Sequence, residues 1–128
     1  MNILAIDYGT KRIGLAWVQE GLDVVLPFGV VENEEPMTTN KELKKIVTDE
    51  KINKIIIGMP LGLDGKENEN TVRIRAFIDG VKSILQIPIE IIDERFSSQA
   101  ADRLGATGAS RDEKAAMILL QNYLDKKV

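Results

Sequence analysis

The chain has 128 residues with neither Cys nor His, and its 17 Lys and Arg against 20 Asp and Glu leave a net charge of −3. That length fits one domain, and the missing residue types exclude disulfides, thiolate metal sites and histidine catalysis. Any catalysis must rest on carboxylates, Lys, Tyr or hydroxyls, and any bound metal must be a hard, oxygen-liking ion such as Mg²⁺ or Mn²⁺.

The first stretch, NILAIDYGTKRIGLAW (2–17), holds two apolar runs separated by a turn signal. Such runs read as buried strands, so the segment is predicted to be a hairpin. Asp7 then stands at the carboxyl end of a central strand, beside a turn that Gly9 makes easy. A carboxylate there needs compensation, from Lys11, Arg12, backbone amides or a metal ion. This opening is a strand pattern rather than a basic-then-apolar leader, and no window approaches the ~18–20 apolar residues of a membrane span. A cytoplasmic location is expected. The acidic total argues mildly against a generic nucleic-acid binder, although a local basic patch can outweigh it.

Residues 24–31 form another apolar run, broken by Pro27 and Gly29, which predicts an edge strand and completes an antiparallel meander. Residues 32–37 read as an acidic loop. Thr39 or Asn40 is then expected to cap a helix whose apolar face carries Leu43, Ile46 and Val47. A short apolar strand follows at 54–58, then a polar, Gly-containing loop, then a helix over 71–86 with a stripe of Ile74, Phe77, Ile78, Val81 and Leu85. The next strand, 88–92, ends in Asp93, Glu94 and Arg95. Alternating strand and helix predict parallel pairing, so the sheet should be mixed: a meander first, parallel strands afterwards.

A short helix is predicted over 97–104 and a small-residue loop over 105–110. Ser110 to Glu113 has the pattern of a capping box that opens the last helix. Ala115, Ala116, Leu119, Leu120 and Tyr123 form its core face. Asp112 lies on that face, three and four residues before Ala115 and Ala116. Glu113 relates similarly to Ala116, Met117 and Leu120, and periodicity does not choose between the two acids.

Sites in open sheets form beyond the carboxyl ends of strands. If the first strand neighbours the strand ending at Asp93 and Glu94, and the last helix packs over that end, Asp7, Asp93 or Glu94, and Asp112 converge. Converging carboxylates repel unless divalent cations hold them, and a pair of such ions is a known arrangement for phosphodiester displacement. Each acid alone has an ordinary explanation: a turn former at Asp7, a strand-end ion cluster at 93–95, a favourable helix-start charge at Asp112. The joint pattern is what points to chemistry.

Four blocks, DYGTKRIGLA (7–16), IIIGMPLGLDG (55–65), IIDERFSS (91–98) and DEKAAMILLQNYLD (112–125), carry a likeness over essentially the whole chain. In this order and spacing they resemble the YqgF family of Holliday-junction-resolvase-like proteins, also described as nucleases that mature the 5′ end of 16S ribosomal RNA. The resemblance implies a ribonuclease H-like α/β fold, with a mixed five-stranded sheet whose first three strands are antiparallel. It implies an endonuclease dependent on Mg²⁺ or Mn²⁺ and acting on structured RNA or branched DNA. Carried over by motif, the metal-holding and catalytic acids are Asp7, Glu94 (with Asp93 as the alternate) and Asp112, while Lys11, Arg12 and Arg95 contact phosphate. A symmetric junction as substrate favours a homodimer. Two positions depart from the family pattern: the usual basic stretch before the helix acid is GATGAS with only Arg111, and Gly62 replaces an Asn.

Two other function classes compete. An actin-like ATP-binding domain also uses a strand, Asp, Gly and Thr hairpin to cradle phosphate, but needs two such domains and gives Asp112 no reason to face the sheet. A non-catalytic nucleic-acid or ribosome-associated module draws support from the acidic total and the thin basic stretch.

Overall fold

The computed structural model describes residues 2–9, 11–19, 21, 24–59, 69–93 and 110–126. Five strands and three helices follow in chain order: β1 (Ile3–Asp7), β2 (Arg12–Val18), β3 (Leu26–Glu32), α1 (Pro36–Asp49), β4 (Lys54–Met59), α2 (Glu69–Ile84), β5 (Ile89–Asp93) and α3 (Arg111–Lys126). The sheet order is β3-β2-β1-β4-β5. β1 pairs antiparallel with β2 and parallel with β4, β2 pairs antiparallel with β3, and β5 adds in parallel to β4. The expected meander with parallel additions is the architecture found.

Side-chain alternation divides the core into two layers. On one face Leu4 and Ile6 of β1, Ile13 and Leu15 of β2, and Ile55 and Ile57 of β4 pack against Leu43 and Val47 of α1 and Ile74, Ile78 and Val81 of α2. On the other face Ile3, Ala5, Ala16, Val18, Ile56 and Ile92 pack against Ala116, Met117, Leu119, Leu120 and Tyr123 of α3. β1 and β4 are buried on both faces, which is why their sequences read as continuous apolar runs. β3 is an edge strand, as Pro27 and Gly29 predict, and its pairing with β2 shifts register between Leu15 and Ala16.

Three expectations need adjustment. α1 begins at Pro36 rather than near residue 40, with Glu35 at its N-cap position and Pro in its first turn. Proline suits that turn because its missing N–H has no helical partner there. Thr39 and Asn40 are therefore interior helical residues, and both are buried. In α3, Met117 is buried while Ala115 is only half-buried, so the core stripe is rotated slightly from the expected one. The predicted helix over 97–104 and the loops over 60–68 and 105–109 lie outside the described residues.

A polar latch closes the far end of the α3 layer. Lys54 Nζ donates to Tyr123 Oη at 2.6 Å and lies 2.9 Å from Glu90 Oε2. The hydrogen bond to Tyr123, and then the Glu90 carboxylate, hold Lys54 charged well above the ordinary ammonium range. Lys54 opens β4, so this cluster stands at the opposite end of the sheet from Asp7.

Candidate active site

Asp7 is the last residue of β1, and its position follows from the strand's alternation. Ile3 and Ala5 face α3, whereas Leu4 and Ile6 face α1 and α2. Residue 7 shares the parity of 3 and 5, so its half-buried side chain lies on the α3 face. Tyr8, the next residue, packs instead with the α1 and α2 layer, where its ring meets Phe77 at a centroid distance of 4.8 Å.

Directly across the antiparallel ladder from Asp7 is Gly14 of β2. A methyl group at Gly14 would overlap the Asp112 carbonyl and come within 3.1 Å of the Asp112 Cα. Glycine here is a seat. It lets the first turn of α3 descend onto the sheet beside the carboxyl end of β1. Asp112 and Asp7 thereby share one face and one end of the sheet, although 105 positions separate them in sequence.

The α3 N-terminus also resolves the ambiguity between Asp112 and Glu113. Glu113 N–H donates to Ser110 Oγ at 3.2 Å, and Ser110 N–H donates to Glu113 Oε1 at 3.1 Å. This reciprocal capping box occupies Glu113 with its own helix end. Asp112 is left as the acid turned toward β2, its side chain 29% exposed.

Lys11 and Arg12 follow the β1–β2 turn. A side chain at Gly9 would overlap the Arg12 carbonyl, so the turn closes only around glycine. Asn33, just beyond β3, braces it: its Nδ2 donates to Gly9 O at 2.7 Å and its backbone N–H to Lys11 O at 2.9 Å. Lys11 is exposed. Arg12 departs from the expectation that both cations stand free for a nucleic-acid backbone, because its Nε lies 3.0 Å from Asp112 Oδ2. The parity of Arg12 with Gly14 and Ala16 directs it to the α3 face, where the nearest opposite charge is that carboxylate. With the guanidinium mostly in solvent, the pair is worth about 0–1 kcal/mol, so Arg12 can exchange partners cheaply.

The third acid is placed less directly. β1 and β5 are not neighbours, contrary to one condition of the convergence argument: β4 lies between them. The crossover through α1 sets β4 beside β1, and the crossover through α2 sets β5 one strand farther out. The two strand ends therefore stand about two strand spacings, roughly 9–10 Å, apart. On the α3 face, the β4 residue between them is Gly58, paired with Ile92 of β5, and it adds no side chain to the gap. Asp93 closes β5. Glu94 and Arg95 lie outside the described residues, and among the described residues no three acids gather closely enough to hold a metal ion.

The donor chemistry on this face is all oxygen, from carboxylates fixed by a strand end and a helix start. In a chain with no sulfur or imidazole ligand from Cys or His, that set suits Mg²⁺ or Mn²⁺ and disfavours zinc-type sites.

Comparison with known proteins agrees with this architecture. Residues 1–126 match the model of a family described as RuvX, Holliday junction resolvase. The chain belongs to that family. Among curated relatives of the RuvX chain, a protein of Dictyoglomus turgidum is 37% identical over 98% of this chain and 94% of its own length. A second, from Maridesulfovibrio salexigens, is 36% identical over 97% of this chain and 98% of its own. Both are provisionally named pre-16S rRNA nucleases. Among solved structures, Thermus thermophilus RuvC in complex with a Holliday junction substrate superposes with a TM-score of 0.71. At 13% identity it covers 93% of this chain and 89% of its own, a likeness of fold. The expected ribonuclease H-like fold is thus the one found.

Two contributors were missed from sequence. Gly14 carried a readable signal, a glycine inside an apolar strand, which marks a close backbone approach. Asn33 carried none, since its partners lie 22 and 24 residues earlier.

Proposed function

We propose that this RuvX-family chain is a divalent-metal-dependent endonuclease that hydrolyses phosphodiester bonds in structured RNA or branched DNA. The observation that carries the reading is the seat at Gly14, which brings Asp112 down beside Asp7 on one face of the sheet. Family membership and the provisional nuclease names of the relatives support it.

In this reading Asp7, Glu94 and Asp112 hold Mg²⁺ or Mn²⁺. Glu90 and Ile92 of β5 have the parity of the α3 face, and Glu94 is the next residue of that parity, which favours it over Asp93. A divalent ion bound there supplies an activated water and charge stabilisation for the leaving oxygen. The protein's own part is positional. β1 and α3 fix their carboxylates on rigid elements, the Gly9 turn presents Lys11 to a phosphate, and Arg12 passes from Asp112 to the substrate backbone as negative charge arrives. Arg95 contributes a further phosphate contact. A homodimer suits a two-fold junction, and a monomer suffices for an RNA end.

The Arg12–Asp112 ion pair favours a second reading, a non-catalytic nucleic-acid or ribosome-associated module in which a cation permanently balances the helix acid. One comparison separates them: cleavage of a four-way DNA junction and of a 16S precursor 5′ end, each with and without Mn²⁺. The nuclease reading expects Mn²⁺-dependent cutting of one of these. No cutting of either leaves the non-catalytic reading.

A further inference from the structure

On the sheet face opposite Asp7 and Asp112 lies a cavity of about 270 Å³ between the end of β1 and helices α1 and α2. Tyr8 and Phe77 supply aromatic walls, Ala76 and Gly80 a low apolar side, and Arg73 stands exposed among the lining residues. Two of its polar side chains are already occupied: Asn33 Nδ2 donates to Gly9 O, and Thr39 Oγ1 accepts from Glu34 N–H. Asn40 differs. Only 8% exposed, it lines the cavity with an Oδ1 that has no hydrogen-bond partner. Its Nδ2 would lie 2.9 Å from a methyl group built on Gly80, so a glycine keeps the amide's place open.

A buried acceptor left unpaired is costly, and each such group calls for an explanation. Here the surroundings offer one. The cavity is just under the ~300–1,000 Å³ of typical small-ligand pockets, the size of a single heterocycle. Aromatic walls suit a flat ring, and a lone acceptor at the end of an apolar slot suits a ring edge that leads with an N–H.

We propose that this cavity takes one unstacked nucleobase of the nucleic-acid substrate, with preference for a base bearing an exocyclic amino group. The base slots against Tyr8 and Phe77, its amino group donates to Asn40 Oδ1, and Arg73 holds the adjoining phosphate. Tyr8 directly follows Asp7 in the chain, so the base is gripped on one side of the β1 end while the phosphodiester lies toward the other. This rests on the nucleic-acid reading above, but its test does not involve cleavage.

Adenosine and inosine are near-isosteres that differ by an amino group in place of a carbonyl. Titrating each into the ¹⁵N-labelled full chain should shift the backbone amides of Tyr8, Asn40, Phe77 and Gly80. Adenosine should bind roughly 2- to 12-fold more tightly, the range one neutral hydrogen bond supports. Asn40→Leu, which removes the unpaired acceptor without emptying its volume, should stay folded and lose the preference. Equal affinities, tighter inosine binding, or shifts confined to residues outside the cavity overturn the proposal. Cleavage without nucleoside binding sinks the pocket and spares the nuclease, whereas nucleoside binding without cleavage does the reverse.

Discussion

Asp7→Asn is expected to reduce metal-dependent cleavage by about 10³-fold or more, equivalent to roughly 4 kcal/mol of transition-state stabilisation, while the protein stays folded. The substitution keeps the shape of the side chain and removes its charge. Asp7 ends a strand whose Leu4, Ala5 and Ile6 are fully buried, so the carboxylate's position is fixed by packing that the substitution leaves intact. Asp112 sits on the same face, and removing one of two neighbouring negative charges should leave thermal stability unchanged or slightly higher. Activity and stability therefore separate at this residue. Cleavage by purified Asp7→Asn protein at the wild-type rate, with the melting temperature as control, would show that the carboxylates are not the site.

Gly14→Ala should lose both. The new methyl group overlaps the Asp112 carbonyl, so either the first turn of α3 lifts or the sheet yields. Overpacking of this kind typically costs about 1–3 kcal/mol. Activity should fall about 100-fold even at temperatures where the variant is fully folded, because a displacement near 1 Å at a catalytic group has that order of effect. Denaturant unfolding and cleavage rates measured on the same preparation check the pair of effects. A Gly14→Ala protein of normal stability and activity would mean that α3 does not depend on this seat to present Asp112.

The fold was legible because its signals are local. Unbroken apolar runs at β1 and β4 report strands covered on both faces, the Ile74 to Leu85 stripe reports α2, and Ser110 with Glu113 reports the start of α3. The α1 boundary was misread because Thr39 and Asn40 resemble cap residues. Pro36 was the better signal, and the buried amide of Asn40 belongs to a cavity that no local pattern reveals. The site was legible only in part. Asp7 could be placed from its strand, but the choice of Asp112 over Glu113 needed the capping hydrogen bonds, which periodicity does not encode. That β4 separates β1 from β5 follows from the order of crossovers, not from any residue. The partnership of Arg12 with Asp112 depends on helix α3 descending to Gly14, a contact between elements almost a whole chain apart.

The most direct test of the shared carboxylate face is binding of Mn²⁺ to the isolated protein, followed by the loss of the free-ion paramagnetic resonance signal. Wild-type protein should bind Mn²⁺, and Asp7→Asn and Asp112→Asn should each weaken that binding by at least about 10-fold, a loss of roughly 1.4 kcal/mol. Mn²⁺ binding undiminished in both variants would contradict the account.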